Sequence, residues 1–224
     1  MNYEQMNNNK VYLRGRVVSS PILSHEVCEE KFYEVNFEVK RLSDTTDIIP
    51  VIISEKLLAS NNINMGDDIA IKGQYRSYNS QQDNKSKLIL NVFAREIVEI
   101  DETVNPNTIE ITGYICKPSI FRVTPFKREI CDVLVAVNRA YNKSDYLPCI
   151  AWGRNARFVK NLEVGEKVTI VGRIQSREYQ KKIDENTLET KTAYEISIAQ
   201  INSESLNNGM FMQDSNLSSS SVTA

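Results

Sequence analysis

The chain has 224 residues, 41% hydrophobic and 25% charged, with a net charge of −2. This is ordinary for a globular protein with room for one large domain or two of about 100 residues each. No apolar run approaches the roughly 20 residues that cross a bilayer, and the polar, acid-containing start "MNYEQMNNNK" is neither a secretory signal nor an Arg-rich transit peptide, so a cytoplasmic, membrane-free protein is expected.

In chain order, the first strand-like stretch is "NKVYLRGRVVSSP" (9–21). In "YEVNFEVK" (33–40) Tyr33, Val35, Phe37 and Val39 alternate with Glu34, Asn36, Glu38 and Lys40. The period of two predicts a strand with the first set inside and the second outside. "DIIPVIIS" (47–54) follows, then a helical piece, "EKLLASNNI" (55–63), then "NMGDDIAIKGQYRS" (64–77). "DETVNPNT" (101–108) reads as a linker.

After it the pattern starts again. "NTIEITGYICKP" (107–118) lies in register with the first strand, "DYLPCIAW" (145–152) with 47–54, and "EVGEKVTIVGRIQS" (163–176) with 64–77. Asn9 meets Asn107, Gly15 meets Gly113, and Asp, Pro, Gly and the final Ser recur at matching offsets. Three matches in one order predict a tandem duplication. In the second copy strands are predicted at 108–116, 130–138, 145–152, 167–175 and 191–201, with "RNARFVKNL" (154–162) as the helix between the third and fourth. Five strands with one helix after the third is the layout of an OB-fold barrel. The chain therefore reads as all-β, two tandem five-stranded Greek-key OB barrels. The expected limits are 1–100 for the first domain, 101–107 for a linker, 108–201 for the second domain and 202–224 for a Ser/Asn-rich disordered tail.

The two copies control one another. Ile49, Val51 and Ile53 correspond to Leu147, Cys149 and Ala151. This face is apolar in both copies, so it is expected to line the barrel. The opposite face is Ile48, Pro50, Ile52 and Ser54 in the first copy, but Tyr146, Pro148, Ile150 and Trp152 in the second. On the preceding strand the outward row Glu34, Asn36, Glu38, Lys40 becomes Asp132, Leu134, Ala136, Asn138. Charge follows the same division. Residues 1–105 hold 12 Lys+Arg and 16 Asp+Glu, whereas 107–201 hold 15 and 11.

In the second copy rings and cations interleave: Arg139, Tyr141, Lys143, Tyr146, Trp152, Arg154, Arg173, Arg177, Tyr179, Lys181, Lys182. Exposed rings can stack on unpaired bases, at about 1–3 kcal/mol per base, while Lys and Arg neutralise phosphates. Outward Tyr and Trp also serve protein interfaces, so both readings stand on residue types alone. Cys28, Cys116, Cys131 and Cys149 form no C-x-x-C pair, and His25 has no second histidine. Free thiols, no metal and no cofactor are expected. No nucleophile–base pair or P-loop can be assembled, so an enzyme is not expected.

The second copy resembles the bacterial single-stranded DNA-binding protein family over about 95 residues, Asn107 to Ile201. The resemblance rests on "NTIEITGYICKP", "RVTPFKREICDVLVAVNRAY" and above all "DYLPCIAWGRNARFVKNLEVGEKVTIVGRIQSREY". It implies single-stranded DNA binding in replication, recombination or repair, without catalysis. It assigns base stacking to Tyr141, Tyr146, Trp152 and Tyr179, and phosphate contact to neighbouring cations, here Arg139, Lys143, Arg154, Arg173, Arg177 and Lys181. It also implies a nucleoid-associated homodimer with four OB units. The first copy keeps the scaffold without the rings, so its binding face is expected to be degenerate. Family members commonly end in an acidic, aromatic tip that docks partner enzymes. The end "SSSSVTA" lacks it, so recruitment by that route is not expected. The alternative is a replication-restart or primosome-type assembly module whose outward rings contact protein.

Overall fold

β-Branched and aromatic residues recur at alternate positions through both halves of the chain, and these runs are its strands. The computed structural model describes residues 7–41, 43, 45–82, 85–182 and 188–204; the tail from 205 onward lies outside them. The first half contains β1 (Asn9–Val17), β2 (Ile22–Val27), β3 (Glu30–Lys40), β4 (Thr46–Ser54), α1 (Glu55–Asn61), β5 (Asp68–Gln82) and β6 (Lys85–Val98). The second repeats it with β7 (Asn107–Ile115), β8 (Ile120–Val123), β9 (Glu129–Arg139), β10 (Lys143–Trp152), α2 (Arg154–Val159), β11 (Lys167–Lys182) and β12 (Leu188–Glu204).

In the first half β1 pairs with β3 and β5, β3 with β4, β4 with β6 in parallel, and β6 with β5. Five strands thus close on themselves, which leaves the barrel strands no free edge. The second half closes the same way through β7, β9, β10, β12 and β11. These are two tandem OB folds. A short sixth strand, β2 or β8, is added outside each ring, which the sequence pattern does not announce. The helices are shorter than predicted, and β5–β6 and β11–β12 run on as long hairpins.

β1 also pairs antiparallel with β7, with Val11 opposite Ile109. Among the described residues all twelve strands therefore form one sheet in the order β2-β3-β4-β6-β5-β1-β7-β11-β12-β10-β9-β8. The order reads the same from either end once each strand is replaced by its repeat counterpart, so the barrels are related by a pseudo-two-fold axis beside Val11 and Ile109. Reciprocal hydrogen bonds obey it: Thr112 N–H donates to Asn8 O at 2.9 Å and Arg14 N–H to Pro106 O at 2.7 Å.

The interior follows the alternation. Val35, Phe37, Val39, Ile49, Val51 and Ile53 are fully buried, as are Val135, Val137, Leu147 and Ala151. Tyr33 differs from expectation: it is half-buried at the strand entrance, and its hydroxyl lies 3.4 Å from Glu55. Ile52 and Ile150, predicted outward, are buried. Each lies on a central strand with a neighbour on both sides, and those flanking strands limit access to it.

The repeated polar and glycine positions prove to be structural. Asn9 accepts from Tyr75 N–H at 2.9 Å and donates to Tyr75 O at 2.7 Å. Asn107 does the same to Ile174, at 2.9 and 2.7 Å. Each amide satisfies backbone groups that the sheet leaves unpaired. A Cβ on Gly15 would come within 2.6 Å of Glu38 O, and one on Gly113 would strike Ala136 O. No side chain fits where these backbones cross.

Candidate nucleic-acid interface

The β9–β10 hairpin carries three of the four predicted rings. Its turn places Tyr141 at φ 60° and Asn142 at φ 54°. Asn tolerates the left-handed region, whereas Tyr adopts it at a cost of order 1 kcal/mol. The strained turn presents the Tyr141 ring 85% exposed. Along β10, Tyr146 and Trp152 are 44% and 40% exposed. They are six residues apart, so strand alternation puts them on one face, while Leu147, Cys149 and Ala151 fill the core.

Trp152 ends β10 because Gly153 follows at φ 52°, ψ −118°, a conformation open only to glycine. The break turns the chain into α2 and leaves the indole at the rim. A shallow hollow of about 460 Å³ lies beside it, lined by Val123, Lys127, Arg128, Glu129, Trp152 and Gly153. Lys127 and Arg128 come from the β8–β9 turn and were not among the predicted cations. Their only sequence signal was basic character just after Pro125 and Phe126, and the turn's return to Trp152 is tertiary.

Tyr179 lies farther away, on the β11 arm, with the Arg177 guanidinium 5.9 Å from its ring centre. That cation sits at the outer limit of cation–π range and 4.0 Å from Glu195. Arg154 is exposed at the first turn of α2. Lys181 occupies the β11 position opposite Glu189, and its side chain lies outside the described residues.

Two predicted phosphate ligands have other engagements. The Arg139 guanidinium contacts the buried Asp145 carboxylate at 3.1 Å. A buried carboxylate needs a counter-ion, so this arginine is first a structural partner. Arg173 donates to Gln175 at 3.2 Å, and its Nε is buried without a hydrogen-bond partner among the described residues. The first barrel steadies the site from below. Ser77 N–H donates to Asp145 at 2.8 Å, and Tyr146 N–H donates to the Ser77 hydroxyl at 2.7 Å.

A larger open groove, about 1210 Å³, runs between the barrels and ends at Tyr141. The second barrel contributes Arg139, Tyr141 and Lys143; the first contributes Lys10, Lys72, Arg76 and Arg95, and the acids on the lining are Glu96 and Glu110. Burial lowers the Arg76 pKa to about 10, with repulsion from Arg139 and Arg95 adding to it and Asp145 opposing it. It remains a cation at neutral pH. The first barrel lacks stacking rings at Ile48 and Ser54 but supplies positive charge.

Residues 106–203 match the model of the single-strand binding protein family. Single-stranded DNA-binding protein 3 of Streptococcus agalactiae serotype V is 30% identical over 83 residues, 34% of this chain and 60% of that protein; the chain thus spans less than two thirds of that relative. Among solved structures, the wild-type single-stranded DNA binding protein from Thermus aquaticus superposes with a TM-score of 0.66 over 88% of this chain and 92% of that one, at 17% identity, a likeness of fold. The N-terminal domain of the PriB protein from Thermoanaerobacter tencongensis is 42% identical over 42% of this chain and 98% of its own, with a TM-score of 0.36.

Proposed function

We propose, on the premise that the second barrel belongs to the single-strand binding protein family, that this chain binds single-stranded DNA without catalysing a reaction. The supporting observation is the β9–β10 hairpin, which holds Tyr141, Tyr146 and Trp152 outward on a scaffold whose opposite face is core. Unpaired bases stack on these rings because every base has a π face, which makes binding tolerant of sequence. Tyr179 extends the path along the β11 arm.

Phosphates are neutralised by exposed cations beside the rings, Lys143, Arg154 and Arg177, with Lys127 and Arg128 at the Trp152 hollow, and Lys181 continues the basic run along the β11 arm. Arg139 and Arg173 contribute field more than direct contact. The first barrel serves as scaffold and as a positively charged wall of the groove. A cytoplasmic homodimer with four OB units, acting in replication, recombination or repair, fits this reading.

The test is a titration of the whole chain with an oligo-dT of about 35 nucleotides, following Trp152 emission at low and high salt. Trp152 is the chain's one tryptophan, so no other indole obscures the signal. Saturable quenching that weakens steeply with salt is expected. Absence of both quenching and a gel shift overturns the reading in favour of a protein-binding module. Binding without quenching retains the function and removes Trp152 from the path.

A further inference from the structure

The twelve-stranded sheet ends in β2 on one side and β8 on the other. Each is hydrogen-bonded to one strand, β3 and β9 respectively, and each leaves its outer edge unpaired among the described residues. An unpaired edge is a template for another strand unless something blocks it. Both edges here carry exposed apolar side chains: Ile22 69%, Leu23 55% and Val27 53% beside β2, and Ile120 58%, Val123 57% and Phe126 88% beside β8.

The two edges are repeat counterparts, 98 residues apart, yet their charges are opposite. Residues 19–31 hold one lysine against Glu26, Glu29 and Glu30, net −2 with His25 neutral. Residues 117–129 hold Lys117, Arg122, Lys127 and Arg128 against Glu129, net +3. Arg122 is engaged by Asp132 at 2.7 Å and Glu129 by Arg157 at 3.1 Å. Lys117, Lys127 and Arg128 have no ion-pair partner among the described residues, and neither do the three glutamates of the β2 edge.

We propose that copies of this chain join head to tail, the β2 edge of one against the β8 edge of the next. Charge decides the pairing. Two β2 edges, or two β8 edges, would bring like charges together, whereas β2 against β8 pairs opposite ones. The outer edge of each strand supplies backbone hydrogen bonds, as in strand addition, and the exposed aliphatic side chains supply apolar contact. A contact between different surfaces does not close on itself unless a ring forms, so every added copy presents a fresh edge. The consequence for a long strand of DNA, cooperative coating by successive copies, rests on the function proposed above; the association itself does not.

The experiment therefore omits DNA. The full chain is sedimented at increasing concentration, up to ~100 μM, in low and in high salt. Two charge-reversed variants are compared: Glu26→Lys with Glu29→Lys and Glu30→Lys, and Lys127→Glu with Arg128→Glu. The expected result is a wild-type mass that climbs without a plateau and falls back in salt. Each variant alone should remain at one discrete size, because its two edges now carry the same sign. A one-to-one mixture should associate again, since the basic edges of one variant face the acidic edges of the other. A wild-type mass independent of concentration overturns the proposal. So does either variant associating like the wild type, or a mixture that stays discrete. Failure here leaves DNA binding untouched, and failure to bind DNA leaves this result standing.

Discussion

Asp47 and Ser176, from different barrels, are joined by two hydrogen bonds, from the Ser176 N–H at 2.7 Å and from its hydroxyl at 3.0 Å. Asp145 and Ser77 repeat the backbone half of the contact from the other side of the pseudo-two-fold axis, the Ser77 N–H donating to Asp145 at 2.8 Å while the Ser77 hydroxyl accepts from Tyr146 N–H. Each carboxylate is fully buried and also receives an arginine of its own barrel, Arg41 or Arg139. The repeated Asp and Ser therefore lock one barrel to the other. Replacing Asp47 by Ala is expected to cost about 3 kcal/mol, toward the lower end for a broken buried pair because Arg41 keeps some solvent contact. Urea unfolding checks this, and Asp145→Ala should cost less, because Asp145 accepts only two hydrogen bonds and its Oδ2 is buried without a partner among the described residues.

Acid should loosen the same lock. Burial pushes the Asp47 carboxyl up, but hydrogen bonds from Arg41 and from the Ser176 N–H and hydroxyl outweigh it, and the net shift is downward. A carboxyl whose folded pKa is depressed stabilises the fold above its unfolded value and loses that contribution as pH falls through the folded one. The Asp47 contribution should be complete at neutral pH and should decline once the pH falls below the unfolded carboxylate value of ~4. The urea midpoint of the wild type should therefore fall more between pH 6 and pH 3 (about the range that brackets a carboxylate) than that of Asp47→Asn.

Trp152→Ala and Tyr146→Ala should each weaken oligo-dT binding by about 1–3 kcal/mol, roughly 5- to 150-fold. Both rings lie partly exposed on the outward face, so thermal unfolding should change little. A loss of affinity accompanied by an equal loss of stability would assign these rings to packing instead.

Tyr141 should show a trade between stability and binding. Glycine at φ 60° relieves the left-handed strain but is freer when unfolded, so Tyr141→Gly should be neutral or more stable by up to about 1 kcal/mol. Its affinity for oligo-dT should fall. Paired melting and titration curves check both directions together.

Thiol chemistry should follow burial. Cys28 is exposed, Cys116 intermediate, and Cys131 and Cys149 buried. Burial also raises the Cys149 pKa, with Glu195 and Cys116 adding to it, which suppresses the reactive thiolate. A thiol reagent followed by mass spectrometry should modify Cys28 first, and Cys149 only on unfolding.

The candidate site was legible in part. Tyr146 and Trp152 stood out because the duplication supplied Ile48 and Ser54 as the same positions without rings. Lys127 and Arg128 did not stand out, since nothing local says that the β8–β9 turn folds back beside Trp152. Arg139 was read as a phosphate ligand because a sequence shows its charge and not the buried carboxylate that claims it.

By itself the sequence determined the duplication, the strand order within each barrel and the inward face of β3, β4, β9 and β10. These follow from alternation, β-propensity and turn residues, which act over a few neighbouring positions. Only the tertiary structure decided what meets the other face. The pairing of β1 with β7, the Asp47–Ser176 lock, the burial of Ile52 and Ile150 and the placement of β2 and β8 at opposite ends of one sheet all depend on segments far apart in the chain. Their free energy lies in desolvation and in contacts between elements, and no local pattern carries that information.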